Sequence, residues 1–230
     1  MVTVRQPREN ELTAAQRERD FSAIAAPAVV AALRAVLPPD CVLHVAEDVR
    51  PYECDGLSLY RTMPLAVVLA RNEADVVTTL NVCARLGVPV VARGAGTGLS
   101  GGAMPHAHGV LLSLARMNRI LRIDSEARLA VVEPGVRNLA ISEAVAAHGL
   151  YYAPDPSSQV ACTIGGNVAE NAGGVHCLKY GLTVHNVLKS RAVTIDGEIV
   201  EFGSEALDAP GYDLLALLIA LIGMGAIIYK

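Results

Sequence analysis

The chain has 230 residues, of which 52% are hydrophobic and 18% are charged, and its formal net charge is −4. A chain of this length and apolar content can bury a hydrophobic core, which excludes intrinsic disorder, and an acidic balance without a basic cluster excludes nucleic acid as the main partner. The five cysteines are odd in number and form no C-x-x-C pair, so neither a disulfide framework nor a zinc site is indicated, and a cytoplasmic location is expected.

Helical and strand patterns alternate along the first half of the chain. The first 20 residues carry scattered charges and no apolar core, so they do not resemble a secretory signal. The spacing in "APAVVAALRAVLP" predicts a helix that ends at Pro38. "PLAVVLA" predicts a buried strand, followed by a helix capped by Asn72 and ended by Gly87, and then by the strand "VPVVAR". This order predicts a βαβ unit with a parallel pair of strands.

The second half of the chain predicts strands joined by hairpins. "GVLLSL", "ILRID" and "LAVVEPGV" are read as strands, and Asn138 is expected to cap a helix that ends at Gly149. A long loop rich in Gly, Pro, Ser and Asn follows from 153 to 174, and a hairpin is predicted around Asp196-Gly197. The apolar run 214–228 is shorter than the ~20 residues of a membrane span and predicts a core helix running into a buried strand.

A glycine-rich loop over 93–102, "RGAGTGLSGG", contains the pattern G-x-G-x-x-G. A Rossmann turn opens a helix and is followed by an acidic residue ~20 positions later, whereas here Pro105 and Gly109 oppose a helix and the first acidic residue is Asp124. The NAD interpretation is therefore disfavoured. The loop retains a run of backbone N–H groups that suits a phosphate, although by itself it fits a simple chain-reversing turn equally well.

A second glycine cluster lies in "PDPSSQVACTIGGNVAENAGGVHCLKYG", where glycine pairs alternate with amides and hydroxyls. Two such loops in one domain could hold a long polar ligand at both ends. Small residues on irregular backbone suit close contact with the ribityl chain and the polar edge of a flavin.

Four motifs, "RGAGTGLSGGA", "PDPSS", "CTIGGNVAENAGG" and "KYGLT", occur in the order and spacing of the PCMH-type FAD-binding domain of the vanillyl-alcohol oxidase superfamily, which this chain resembles. Within it the chain is most similar to the FAD-linked subunits of bacterial glycolate oxidases and D-lactate dehydrogenases, and "RPYECDGLSLYR" adds to the likeness. The resemblance runs from about residue 40 to 218. It implies an α+β fold of two lobes with FAD between them, with an N-terminal segment and helix over 1–58 and the FAD-binding domain over 59–230.

The resemblance also implies which residues contact FAD. In the first loop, the pyrophosphate would be held by Arg93, Gly94, Ala95, Gly96, Thr97, Gly98, Leu99 and Ser100. In the second, the ribityl chain and ring would be lined by Pro154, Asp155, Ser157, Thr163, Gly165, Gly166, Asn171 and Gly173. Members with covalent FAD attach it through a His in the first loop, and this loop has none, so non-covalent FAD is expected although Cys162 lies near the second loop.

The implied substrate is a small 2-hydroxy acid, and the implied partners are other glycolate oxidase subunits, which would bring the protein to the periphery of the inner membrane. No catalytic residue and no metal ligand is assigned. His106 and His108 lack a third ligand and are expected to be solvent-exposed. For His176 and Cys177, beside the second loop, contact with flavin and a structural role both stay open.

The resemblance ends after "GYDLLALL", where the family continues with a Gly-Ser-Glu-Gly segment and a cap domain. This chain reads "LIALIGMGAIIYK" instead. A truncated or frame-disrupted chain without the cap domain is expected, with weak FAD binding, little turnover and a tendency to aggregate. The alternative hypothesis is a non-catalytic remnant that binds FAD or another nucleotide weakly.

Overall fold

The computed structural model describes residues 21–205, 211–221 and 226–229. The sequence interpretations of residues 1–20 and of the altered positions 222–225 lie outside these ranges. The helices are α1 (Ala26–Arg34), α2 (Ala46–Val49), α3 (Glu73–Leu86), α4 (Asn138–Val145), α5 (Ile164–Ala169), α6 (Cys177–Tyr180) and α7 (Leu214–Leu221). The strands are β1 (Val42–Leu43), β2 (Ala66–Leu69), β3 (Val90–Arg93), β4 (Val110–Ser113), β5 (Ile120–Asp124), β6 (Leu129–Val132), β7 (Lys189–Thr194), β8 (Ile199–Gly203) and β9 (Ala226–Tyr229). Short 3-10 turns occur at Pro39–Cys41, Arg50–Tyr52, Ala146–His148 and Thr183–Asn186.

The first lobe is built on a four-stranded sheet in the order β1-β2-β4-β3. Strands β2 and β3 are parallel, but each pairs with β4 rather than with the other, so Leu111 of β4 faces Val67 on one side and Val91 on the other. The predicted βαβ unit therefore has its two strands parallel in one sheet, but β4 lies between them. All four residues of β4 are buried whereas those of β3 are half-buried, and the most apolar strand takes the centre of the sheet.

Helix α3 covers this sheet and has the ends that the sequence predicts. The Asn72 side chain accepts a hydrogen bond from the backbone N–H of Asp75 at 2.9 Å, and Gly87 ends the helix with a left-handed φ of 65°. Leu80 and Cys83 bury the helix face, and Leu33 of α1 joins the same core. Because β1 pairs with β2, residues before 58 pack into this lobe, and the domain boundary at 58/59 stays a prediction.

The second lobe is antiparallel. Strands β5 and β6 form one hairpin, and β7 and β8 form the other across Gly197, whose φ is 81°, so both predicted hairpins are confirmed. Strand β9 pairs with the other edge of β7 after helix α7, which agrees with the predicted helix and strand. The two lobes give the predicted α+β fold. Within the described ranges, no helix is long and apolar enough to cross a membrane.

Two local predictions about the second lobe are wrong. Asn138 does not cap α4 but is its first residue, and its buried Nδ2 donates to the Pro154 carbonyl at 3.0 Å. Here a long-range hydrogen bond outcompetes the local cap. The predicted loop 153–174 contains a helix, α5, because residues 164–169 pack Ile164 and Val168 into two separate apolar clusters.

Candidate flavin site

The first glycine loop follows β3 and leads into turns and then β4, without a helix. This agrees with the rejection of a Rossmann turn. Gly96 and Gly101 adopt left-handed φ values of 68° and 79°, which L side chains rarely tolerate. Ala95, Leu99 and Ser100 are exposed, and a β-carbon built on Gly98 would meet no atom within 4 Å. The outer surface of the loop therefore offers open backbone for a ligand.

The second glycine loop is anchored to the antiparallel lobe on one side of α5. Gly165 donates its backbone N–H to Pro134 at 2.9 Å, and a β-carbon on Gly165 would lie 2.7 Å from the Pro134 Cβ. Thr163 and Asn167 are buried at the start and in the middle of this segment. Glycine at position 165 is required by the close approach of the two backbones.

The two loops meet at Gly94 and Thr163. A β-carbon on Gly94 would overlap Thr163 Oγ1 and would stand 3.7 Å from the backbone nitrogen of Gly166. A few residues along, a β-carbon on Gly102 would stand 2.9 Å from a carboxylate oxygen of Glu170. The two loops, which are separate motifs in the sequence, thus lie in contact with each other in the structure.

The other residues proposed from the second motif mainly hold the loop together. Asn171 adopts a left-handed φ of 47° and its Oδ1 accepts from the Val184 N–H at 3.0 Å. Gly173 packs against Leu182. Pro154 is buried and accepts the hydrogen bond from Asn138, whereas Ser157 is exposed. These positions are consistent with a preformed loop, and their contact with a cofactor stays a prediction.

Asp155 and His176 form a hydrogen-bonded pair at the outer end of the second loop. His176 Nδ1 lies 2.6 Å from Asp155 Oδ2, and the His176 backbone N–H donates to Oδ1 at 3.3 Å. The hydrogen bonds from His176 lower the pKa of the Asp155 carboxyl below its ordinary value. Gly174 lies directly against Asp155, where any β-carbon would overlap the carboxylate. The structural role that was left open for His176 is therefore observed.

Several buried polar atoms around the two loops have no hydrogen-bond partner in the described part of the chain. They include Thr163 Oγ1, Asn167 Nδ2, Asn138 Oδ1 and Asp55 Oδ2. Buried polar groups are nearly always paired, so this set indicates a polar ligand or ordered water. Hydroxyl, carbonyl and phosphate groups on one extended molecule such as FAD would match these donors and acceptors.

The sequence interpretation counted Asn167 among the amides of the second glycine cluster without assigning it a contact with FAD, and it gave Asn138 and Asp55 no part in the site. Asn167 lies within the motif "CTIGGNVAENAGG", two residues after Gly165, and its place in this motif is the sequence signal that could have identified it as a site residue. Asn138 gives no local signal because its partner Pro154 is 16 residues away. Asp55 lies in "RPYECDGLSLYR", a stretch to which no role was given.

A cavity of about 780 Å³ lies on the other side of α5. Pro134, Ile164 and Gly165 line it together with strands β5, β6 and β7, and none of the residues 93–100 reaches it. It is therefore distinct from the boundary between the two glycine loops. Apolar side chains dominate its wall along β6, and its lining also includes charged side chains, among them Arg122, Asp124, Lys189, Arg191 and Glu201.

His106 and His108 lie between the first glycine loop and β4, and both are half-buried. His106 Nδ1 accepts from the His108 N–H at 3.1 Å, and the His106 ring packs edge-on against Phe21. Among the described residues, no group of three or more His, Cys, Asp and Glu side chains is arranged to hold a metal ion. Cys162 is buried at the start of the second loop.

Comparison with known proteins gives a family and a set of relatives. The model of the FAD binding domain family matches residues 64–203. The glycolate oxidase subunit GlcD of Escherichia coli K12 is 64% identical over 196 residues, which make up 85% of this chain and 39% of that protein. GlcD of Bacillus subtilis is 43% identical over 75% of this chain and 37% of its own length. The D-lactate dehydrogenase of Archaeoglobus fulgidus is 40% identical over 71% of this chain and 37% of its own length. The chain thus spans about two fifths of the length of these relatives.

The fold is shared with solved structures of low sequence identity. An alkyldihydroxyacetonephosphate synthase superposes with a TM-score of 0.74 at 20% identity, over 89% of this chain and 40% of its own. A variant of Phl p 4 described as a glucose dehydrogenase superposes with a TM-score of 0.71 at 17% identity, over 87% and 42%. At these identities the likeness concerns the fold alone.

Proposed function

The chain belongs to the FAD-binding domain family that matches residues 64–203, and we propose that it is the flavin-holding part of an oxidoreductase acting on glycolate or on a D-2-hydroxy acid such as D-lactate. FAD is the cofactor of the family. The relatives named above are a glycolate oxidase subunit and a D-lactate dehydrogenase, and a D-2-hydroxyglutarate dehydrogenase of Stutzerimonas stutzeri is 32% identical over 86% of the chain. These names share one chemical feature, a hydroxyl on the carbon next to a carboxylate.

The observation that carries the proposal is the meeting of the two glycine loops at Gly94 and Thr163, beside buried polar atoms that have no hydrogen-bond partner among the described residues. The backbone N–H groups of 94–100 would hold the pyrophosphate, since open amides on a glycine-rich turn bind phosphate oxygens well. Thr163 Oγ1 and Asn167 Nδ2 would bond the polar groups nearer the ring. When bound, FAD supplies an acceptor for the hydride of a hydroxy acid.

We assign no catalytic base among the described residues. The chain spans 39% of E. coli GlcD, and we propose that the groups that bind the substrate carboxylate and take its hydroxyl proton belong to the part of such enzymes that this chain does not match. Because that relative is named a subunit, we further propose that companion subunits bind the complete enzyme and hold it at the inner face of a membrane. The chain itself is proposed to be cytoplasmic.

We propose that the flavin is bound without a covalent link. The first loop contains no His, and the Cys162 thiol near the second loop is buried, with 4% of the residue exposed. Acid precipitation of the FAD-loaded protein is expected to leave the flavin in the supernatant. Yellow protein in the pellet would contradict the proposal.

The test of function is a visible spectrum of the chain after incubation with FAD and desalting, followed by anaerobic addition of glycolate, D-lactate or L-lactate. Retained flavin that loses its absorbance near 450 nm (about the usual flavin maximum) with glycolate or D-lactate and not with L-lactate would support the oxidoreductase proposal for this chain. Dithionite serves as the control that the bound flavin is reducible.

A second candidate function is a flavin-binding chain without catalytic activity. It is favoured by the fact that the chain matches only 39% of the length of E. coli GlcD. It predicts flavin that dithionite reduces and that none of the hydroxy acids reduces. A folded chain that retains no flavin would contradict both candidates for the isolated chain.

A further inference from the structure

The side chain of Arg93 lies underneath the first glycine loop rather than on its open surface. A β-carbon on Gly96 would overlap the Arg93 guanidinium, and its distance to Nε would be 2.7 Å. Gly96 also has a left-handed φ of 68°. The loop therefore curls over its own first residue, and the guanidinium fills the space inside the curl.

The guanidinium is held from below by the segment 52–57. Arg93 Nη1 donates to the Cys54 carbonyl at 2.6 Å, and Arg93 Cζ lies 5.7 Å from the centre of the Tyr52 ring. Burial lowers the pKa of Arg93, and the nearby Asp55 carboxylate opposes this effect by favouring the charged form. Asp55 thus offsets only part of the burial cost, and the guanidinium is held by the Cys54 carbonyl and the Tyr52 ring.

The same segment supports the backbone of the loop directly. A β-carbon on Gly56 would lie 2.6 Å from the Gly98 carbonyl oxygen and 2.7 Å from that of Thr97. Asp55 is 6% exposed, and its Oδ1 accepts from the Leu57 N–H at 2.8 Å, which fixes the turn that carries Gly56. Residues 52–57, which precede the matched family region 64–203, form a floor beneath the loop.

We propose that Arg93 is a positioning residue that fixes the shape of the phosphate loop by connecting it to the floor 52–57, and that the cofactor phosphates are met by backbone N–H groups without the Arg93 charge. The proposal rests on the FAD-binding part of the proposed function. It refines the sequence interpretation, in which Arg93 contacts the cofactor. It also extends the site to a segment upstream of the matched family region.

The first test compares the wild-type chain with Arg93→Met and with Arg85→Met, an exposed arginine in the last turn of α3 that serves as the charge control. Dissociation constants for FAD are measured by flavin fluorescence at several NaCl concentrations. We expect Arg93→Met to weaken binding at least ~10-fold at every concentration with the same salt dependence as the other two proteins, since no charge facing the ligand is lost. A flatter salt dependence in Arg93→Met would overturn the proposal, because it would indicate a direct contact with phosphate.

The second test does not require the cofactor. Hydrogen–deuterium exchange of peptides covering 94–102 is measured in the ligand-free chain for the same three proteins and for Gly56→Ala. We expect exchange in this loop to be several-fold faster in Arg93→Met and in Gly56→Ala, which disturbs the floor without changing any charge, and unchanged in Arg85→Met. Unchanged exchange in both Arg93→Met and Gly56→Ala would refute the positioning role.

The two tests separate this proposal from the proposed function. A wild-type chain that fails to retain FAD would contradict flavin binding by the isolated chain, and the exchange experiment would still decide whether Arg93 and Gly56 shape the loop. Normal FAD binding by Arg93→Met would contradict the positioning role and leave the proposed function standing.

Discussion

Gly94 and Thr163, 69 positions apart in the chain, lie so close that a β-carbon on the glycine would overlap the threonine hydroxyl. Gly94 belongs to the loop after β3 and Thr163 to the segment that opens α5. At this contact, the glycine-rich loop of the first lobe meets the glycine-rich loop of the second lobe. It therefore couples the stability of the fold to the geometry of the candidate flavin site.

Gly94→Ala is expected to destabilise the chain by about 1–3 kcal/mol, because the added methyl group must displace Thr163 or move the backbone. Adding Thr163→Ala removes the overlapping hydroxyl and is expected to restore part of the loss. Urea unfolding of the two single variants and the double variant gives the coupling energy, expected to be about 1 kcal/mol or more. Strictly additive effects would show that the two residues do not contact each other.

Gly98→Ala is the matched substitution in the same loop, where the added β-carbon meets no atom within 4 Å. We expect its free energy of unfolding to stay within about 0.5 kcal/mol of the wild type. FAD binding is expected to weaken at least ~10-fold, since the methyl group stands on the surface that the phosphate approaches. Fluorescence titration and urea unfolding measure the two effects, and unchanged FAD affinity would place the phosphate elsewhere.

Arg191 of β7 connects the two lobes through a bidentate pair with Glu73 of α3, at 2.6 and 3.0 Å, and a hydrogen bond to Glu201 at 3.0 Å. The paired carboxylates raise its pKa. Because the side chain is 30% exposed, Arg191→Met is expected to cost only about 1 kcal/mol, and Arg191→Lys less. Urea unfolding at low and high salt is the measurement. A loss equal to that of Arg85→Met would show that the pair contributes nothing.

The hydrogen-bonded pair of Asp155 and His176 predicts a specific pH dependence. The folded-state pKa of Asp155 is lowered, so its stabilising contribution is present above the unfolded-state pKa and is lost as pH falls through the folded value. His176→Phe keeps an aromatic ring and removes the hydrogen bonds of the imidazole. NMR titration of the Asp155 carboxyl should then give a higher pKa, and the difference in urea midpoint between the two proteins should close on acidification. An Asp155 pKa unchanged by the substitution would be the contrary result.

Local sequence signals predicted the elements that depend on neighbouring residues. The Asn72 cap, the end of α3 at Gly87 and the hairpin at Gly197 all arise within a few residues of the signal. Features decided by distant contacts were missed. The position of β4 between β2 and β3 and the bond from Asn138 to Pro154 depend on burial and on partners far along the chain.

For the candidate site, too, local features were predicted from the sequence and features decided by distant contacts were not. The two glycine motifs mark the two segments that meet at Gly94 and Thr163, because close backbone approach requires residues without a β-carbon. The sequence did not indicate that Arg93 turns inward beneath Gly96, nor that Gly56 supports Gly98, since both facts concern the spacing between segments 39 to 42 residues apart.

The central position of β4 has a consequence for how the chain folds. Strand β2 also pairs with β1, but within the described residues β3 pairs only with β4, so β3 joins the sheet only when 110–113 lies between it and β2. The residues that connect β3 to β4 include the first glycine loop, so closing this loop and completing the sheet are a single event. The shape of the first glycine loop therefore depends on residues 110–113, which also complete the four-stranded sheet of the first lobe.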